Sequence, residues 1–134
     1  MSSDILGVLS NQNIRMLILI VDSSIQVIER LVELLSETEN ITVIHRAVSC
    51  EEAEKLLKMN TYDVVLLDID LIIQGSLKLL KEIKKQNGKS CVIVLFTQIG
   101  NYIQEQCKSL GVDFFFDKYY DFEKIYDLLT AYHL

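Results

Sequence analysis

Apolar residues in this chain come in short blocks separated by amphipathic stretches. RMLILIVD (15–22) is an apolar run that ends in an acid. In the following SSIQVIERLVELLSE, Val27, Leu31, Leu34 and Leu35 share one helical face, which Ile28 and Val32 widen. Ser23 and Gln26 have capping-box spacing, which predicts the helix start there. The alternation then recurs. ITVIHRA (41–47) reads as a strand, and SCEEAEKLLKM as a helix capped by Ser49 with Glu52. DVVLLD is a third strand. SLKLLKEIKKQ is a helix that stops near Asn87–Gly88, with lysines toward its negative end. SCVIVLFT (90–97) is a fourth strand, and a helix over roughly 99–110 puts Ile99, Ile103, Cys107 and Leu110 on one side before Gly111. VDFFFD (112–117) is a fifth strand. DFEKIYDLLTAY is the last helix, with Phe122, Ile125, Tyr126, Leu129 and Tyr132 inward. Residues 1–14 have weak periodicity and read as an N-terminal extension to one domain spanning 15–134.

Five strands alternating with five helices predict right-handed crossovers and a parallel sheet covered on both faces. Runs such as Val64–Leu67, apolar at every position, fit strands buried on both sides. Such a sheet binds its ligand beyond the carboxyl ends of the strands, where strand order reverses. In a 2-1-3-4-5 order the reversal lies between strands one and three. Strand one ends at Asp22 and strand three at Asp68, so this order brings two carboxylates together.

Composition narrows the function classes. The length of 134 residues suits one domain with a sizeable core, and half the residues are hydrophobic, which excludes a disordered chain. The net charge is −6 with basic residues scattered along the sequence, which argues against nucleic acid as a partner. No apolar run reaches membrane-spanning length and no signal peptide is visible, so the expected location is cytoplasmic, without membrane association. Cys50, Cys91 and Cys107 are odd in number and lack metal-ligand spacing, which suits reduced thiols in that compartment.

The candidate chemistry lies at four strand ends: Asp22, Asp68, Thr97 and Lys118. Each has an ordinary structural reading, as a helix start, a turn former, a β-branched strand residue or a solvated loop charge. At one sheet edge together they suit phosphoryl transfer. Carboxylates hold Mg²⁺, one carboxylate can act as nucleophile, and a lysine and a hydroxyl can neutralise and hydrogen-bond phosphoryl oxygens.

The segments ILIVDSS, DVVLLDID, VLFTQ and FFFDK, in this order at the ends of strands one, three, four and five, resemble the receiver domain of bacterial two-component response regulators. The resemblance spans about residues 15–133 and implies a flavodoxin-like (βα)5 three-layer sandwich with strand order 2-1-3-4-5. It implies that Asp68 accepts a phosphoryl group from a sensor histidine kinase or phosphotransfer protein. Thr97 and Lys118 would contact that group, and Phe115 would be the aromatic switch beside Thr97. Mg²⁺ would be held by Asp22, Asp68 and the backbone carbonyl of Asp70.

The chain departs from the family pattern in several places. Receivers usually end strand one with two adjacent acids, and here the pair is Asp22-Ser23. The second acid is the direct metal ligand in the family, and a hydroxyl is a weaker ligand for a hard cation. At an effective dielectric near 20, a unit charge about 4 Å from another is worth roughly 4 kcal/mol, so the resemblance implies weakly bound Mg²⁺. The side chain of Asp70 could reach the metal or repel a phosphoryl group. Ile72 stands in the loop after strand three, where proline is frequent in the family, and Tyr119 follows Lys118 in place of another proline. Gln98 replaces a small residue after Thr97.

The leading expectation is a stand-alone receiver: a signalling module, not an enzyme, since the chain ends at Leu134 just past the fifth helix. Output would pass through protein contacts on the face made by the fourth helix, strand five and the fifth helix, with homodimerisation left open. The alternative is a phosphorylation-independent pseudo-receiver, supported by Ser23. A flavin- or cobalamin-binding domain lacks its glycine-rich phosphate loop or histidine ligand here. Two geometric expectations follow: Lys118 lies within salt-bridge reach of Asp68, and the Lys118–Tyr119 peptide is trans, since a cis bond before a non-proline residue costs about 2.5–4 kcal/mol.

Overall fold

The computed structural model describes residues 16–37, 42–75, 77–86 and 88–131. The strands are β1 (Met16–Val21), β2 (Thr42–Ala47), β3 (Val64–Asp68), β4 (Cys91–Phe96) and β5 (Phe114–Asp117). They form one parallel sheet in the order β2-β1-β3-β4-β5. The helices are α1 (Ile25–Leu35), α2 (Cys50–Met59), α3 (Ile69–Gly75), α4 (Lys78–Gln86), α5 (Asn101–Ser109) and α6 (Phe122–Ala131). The sheet and its order are those expected. The N-terminal extension 1–14 lies outside the described residues.

Strand side chains alternate between the two faces of a sheet. On one face Leu19, Val21, Val65, Leu67, Val92 and Val94 pack with Ala53, Leu57, Leu80, Ile83 and Cys107 from α2, α4 and α5. On the other, Met16, Ile18, Ile20, Leu66, Ile93 and Leu95 pack with Val27, Ile28 and Leu31 of α1 and Phe122, Ile125 and Leu129 of α6. The central strands are therefore apolar at every position except Asp68, the last residue of β3, because each residue meets a helix layer. The Arg30 guanidinium lies 4.3 Å from the centre of the Phe122 ring and joins α1 to α6. Tyr126 is only partly buried, and Tyr132 lies outside the described residues.

Local structure departs from expectation at two places, both next to the predicted site. The cap of α1 is Ser24, not Ser23: its Oγ accepts from the Val27 amide at 3.3 Å. The Ser24 amide is itself fixed by Asp22 Oδ1 at 2.8 Å, so the helix begins one residue later and Ser23 is left exposed. The segment after β3, expected as a loop, is the short helix α3. It has no proline, and it buries Ile69, Leu71 and Ile72 against the first core face. Ser49 caps α2 as its spacing predicts, accepting from the Glu52 amide at 3.2 Å.

The amino ends of the strands are held by carboxylates. Asp63 Oδ2 accepts from the Leu17 amide and Asp113 Oδ2 from the Val92 amide, both at 2.8 Å. Lys84 Nζ bridges Asp113 at 3.2 Å and the Ser90 carbonyl at 2.7 Å. Its aliphatic stem lies over Gly111, where α5 ends in a Schellman motif: the Val112 amide bonds the Cys107 carbonyl at 3.1 Å and the Gly111 amide bonds the Lys108 carbonyl at 3.0 Å. Gly111 has φ +100°, and a Cβ there would come within 2.9 Å of the Lys84 side chain. Gly111→Ala is expected to lower stability by roughly 1–2 kcal/mol through the left-handed backbone alone, with the Lys84 contact adding to it. Urea unfolding of the two proteins measures the difference.

Candidate functional site

The sheet order places the ends of β1 and β3 side by side, with Val21 paired to Leu67, so Asp22 and Asp68 emerge together. Both are buried, at 0% and 1% exposure. Lys118 follows β5, and its amide donates to the Phe96 carbonyl at 2.7 Å, which fixes the start of the loop against β4. From there its side chain crosses the end of β4. Its Nζ lies 3.2 Å from Asp68 Oδ2, 3.0 Å from Asp22 Oδ2 and 3.3 Å from Asp22 Oδ1. Lys118 thus reaches Asp68 as expected, and it also joins Asp22, a contact that sequence reasoning missed. The Lys118–Tyr119 peptide is trans.

The remaining oxygens are unevenly served. Asp22 Oδ1 accepts from the Ser24 amide, and Asp68 Oδ1 from the Asp70 amide at 3.1 Å. The two Oδ2 atoms are buried and receive no hydrogen bond of good geometry. Lys118 therefore holds them by charge more than by aligned donation. Burial raises the Asp22 carboxyl above its ordinary value near 3.8, against the Ser24 amide and Lys118, and the Asp68 charge adds to the rise. Burial also opposes the Lys118 charge, but the two carboxylates outweigh it and raise the ammonium above 10.5.

Two buried carboxylate oxygens lacking donors suit a hard divalent cation, which takes oxygen ligands. Among the described residues no group of three His, Cys, Asp or Glu side chains is placed to hold a metal. The Asp70 side chain is exposed, and Asp70 sits in the first turn of α3. That turn directs the Asp70 amide onto Asp68 Oδ1. Asp22 and Asp68 would hold the ion, with exposed Ser23 directly after Asp22 in sequence. Thr97 and Gln98 are exposed just past β4. Phe115 is partly buried and packs on the same core face as Ile99 and Ile103.

Residues 18–130 match the family model of the response regulator receiver domain. The chain belongs to the response-regulator receiver family. A CheY-like receiver domain protein from Methanospirillum hungatei JF-1 superposes with TM-score 0.77 at 16% identity, covering 86% of this chain and 90% of that one. The signal receiver domain of an HD domain-containing protein from Pseudomonas fluorescens Pf-5 gives 0.74 at 26% identity, covering 87% and 90%. A response regulator from Burkholderia pseudomallei, solved with a phosphorylated aspartic acid, a calcium ion and citrate, gives 0.73 at 19% identity, covering 82% and 64%. No curated protein matches the chain. Among the described residues no helix is long and apolar enough to cross a membrane.

In this receiver the single ammonium serves two buried acids, which makes Lys118 the stabilising member of the cluster. Lys118→Met is expected to cost about 3–5 kcal/mol at neutral pH, since it leaves two buried carboxylates facing each other. Adding Asp22→Asn should restore part of the loss. Paired urea titrations check both.

The raised Asp22 carboxyl means that the folded state binds this proton more tightly than the unfolded chain. Its contribution is fully present below about 3.8 and is lost as pH rises through the higher folded value. Asp22→Asn, which mimics the protonated form, should gain stability relative to wild type at neutral pH, and the gap should close as pH falls. Melting temperatures across a pH series test this, and a gap independent of pH would contradict it.

Proposed function

We propose that this receiver accepts a phosphoryl group on Asp68 from a sensor histidine kinase or phosphotransfer protein and signals through protein contacts in the cytoplasm. The observation that carries the reading is the buried Asp68 carboxylate held by Lys118 at the mouth of the sheet. An Asp68 oxygen attacks phosphorus in line, the P–N bond to the donor imidazole breaks, and its electron pair leaves on that nitrogen, which takes up a proton. A bound Mg²⁺ would neutralise charge on the transferring group. Lys118 is placed to follow the charge as it moves from the carboxylate to the phosphoryl oxygens. Burial of Asp22 and Asp68 excludes water from the nucleophile.

Thr97 can swing onto the phosphoryl group, and Phe115 can follow it into the space beside α5. The output face is then α5, β5 and α6. It carries exposed Tyr102 and Phe114, with Tyr119 and Tyr120 in the loop between β5 and α6. Aromatic side chains suit a protein interface, including one with a second copy. The module acts alone and has no catalytic output of its own. A second reading, a pseudo-receiver that is never phosphorylated in use, is favoured by Ser23, a hydroxyl where the family usually has a second acid.

Intact mass after incubation with acetyl phosphate and Mg²⁺ separates the two. The expected result is one phosphoryl adduct that Asp68→Asn abolishes, while no adduct at any Mg²⁺ concentration supports the pseudo-receiver. Ser23→Asp is expected to strengthen Mg²⁺ binding and speed adduct formation. It leaves the α1 cap intact, because Ser24 is the capping residue. Without metal it adds a third acid beside Asp22 and Asp68, so its melting temperature should fall in EDTA and recover with Mg²⁺ more steeply than wild type.

A further inference from the structure

An open groove of about 560 Å³ lies between α3, α4 and α5, away from the carboxylate cluster. Its apolar lining is Ile72, Ile73 and Leu77 on one side and Ile103 on the other. Ile73 is 60% exposed although its neighbour Ile72 is buried, so the segment that packs α3 on the core also presents a large aliphatic side chain to solvent. The polar edge is formed by Lys78 and Lys81 of α4.

The charge on this edge runs against the rest of the chain. Between Lys78 and Gln86, α4 carries four lysines and one acid, within a protein of net charge −6. The lysines in its second half have structural reasons. Lys84 ties Ser90 and Asp113, and Lys85 lies in the last turn, where the helix dipole favours a cation. Lys78 and Lys81 occupy the first half of the nine-residue helix, where the dipole disfavours a positive charge. Lys81 is exposed, and both lysines border the apolar groove.

We propose that this groove docks an amphipathic helix of a partner protein whose apolar stripe is flanked by acidic residues. The apolar side chains of the partner would cover Ile73 and enter between Leu77 and Ile103, and its carboxylates would meet Lys78 and Lys81. The groove runs between helices, not along a strand edge, which suits a helix as occupant. The surface is separate from the aromatic face of α5, β5 and α6, and docking there does not require phosphorylation of Asp68.

The test uses the full chain and a fluorescein-labelled peptide of about four helical turns, with leucines at i, i+3, i+4 and i+7 spacing and flanking glutamates. A counterpart with lysine in place of every glutamate and a scramble of the same composition serve as controls. Anisotropy should show saturable binding of the acidic peptide only. Lys81→Glu should weaken it about ten-fold at low salt, with a smaller difference at high salt. Ile73→Gln should weaken it at both. Both residues are exposed, so both variants should keep the wild-type melting temperature. Amide NMR shifts should centre on Ile72, Ile73, Leu77 and Ile103. The proposal is overturned by no binding of the acidic peptide, by equal binding of the lysine counterpart, or by shifts centred on Phe114 and Tyr119. Sedimentation velocity supplies one more such outcome: a wild-type dimer that Lys81→Glu dissociates would assign the groove to a second copy of this chain.

Discussion

One ammonium shared by two buried carboxylates is the constraint around which the molecule is arranged. Asp22 and Asp68 lose nearly all contact with water, and ionised groups tolerate that only when paired. The pairing charge comes from Lys118, 96 residues from Asp22 along the chain. It can arrive only if β1 and β3 are neighbours, β5 lies two strands further on, and all of them run parallel. The order β2-β1-β3-β4-β5 meets these conditions. The cluster still carries one more negative than positive charge, and burial, with the Asp68 charge adding to it, raises the Asp22 carboxyl. A site with excess negative charge and two buried oxygens lacking donors is poised for a cation.

The scaffold that supports this arrangement is simple in its chemistry. Every central strand residue faces one of two helix layers, so the sheet needs no polar face. Polar groups gather at the two ends of the strands and do different work there. At the amino ends Asp63 and Asp113 take backbone amides that would otherwise lack partners, and Lys84 neutralises Asp113. At the carboxyl ends Asp22 and Asp68 also bind amides through Oδ1, and each leaves its buried Oδ2 to the Lys118 charge. The same residue type is partly or fully exposed at one edge, as Asp63 and Asp113, and buried at the other, as Asp22 and Asp68.

The helix α3 gives this receiver its individual character. Its apolar residues fasten the segment after Asp68 to the core, and its first turn directs the Asp70 amide onto Asp68 Oδ1. It also carries Ile73 outward, next to the lysines of α4. One short segment therefore borders both the phosphoryl chemistry and the groove.

The sequence by itself determined the elements that depend on near neighbours. Apolar blocks at strand spacing, stripes at helical spacing, Ser49 three residues before Glu52 and Gly111 at a helix end are all local signals, and they appear in the structure where the pattern places them. The four polar strand ends were legible for the same reason, as the first polar residues after buried runs. The local signal failed at the start of α1. Ser23 has the capping-box spacing, but the Asp22 carboxylate binds the Ser24 amide and Ser24 caps the helix. Ile69–Gly75 is too short for its periodicity to stand out, and it is helical because the core beneath it accepts Ile69, Leu71 and Ile72. Only the tertiary structure decided that Lys118 serves Asp22 as well as Asp68, and that Lys78 and Lys81 of α4 border an apolar groove shared with α3 and α5. Those contacts depend on which strands and helices become neighbours, and side-chain periodicity carries no record of that.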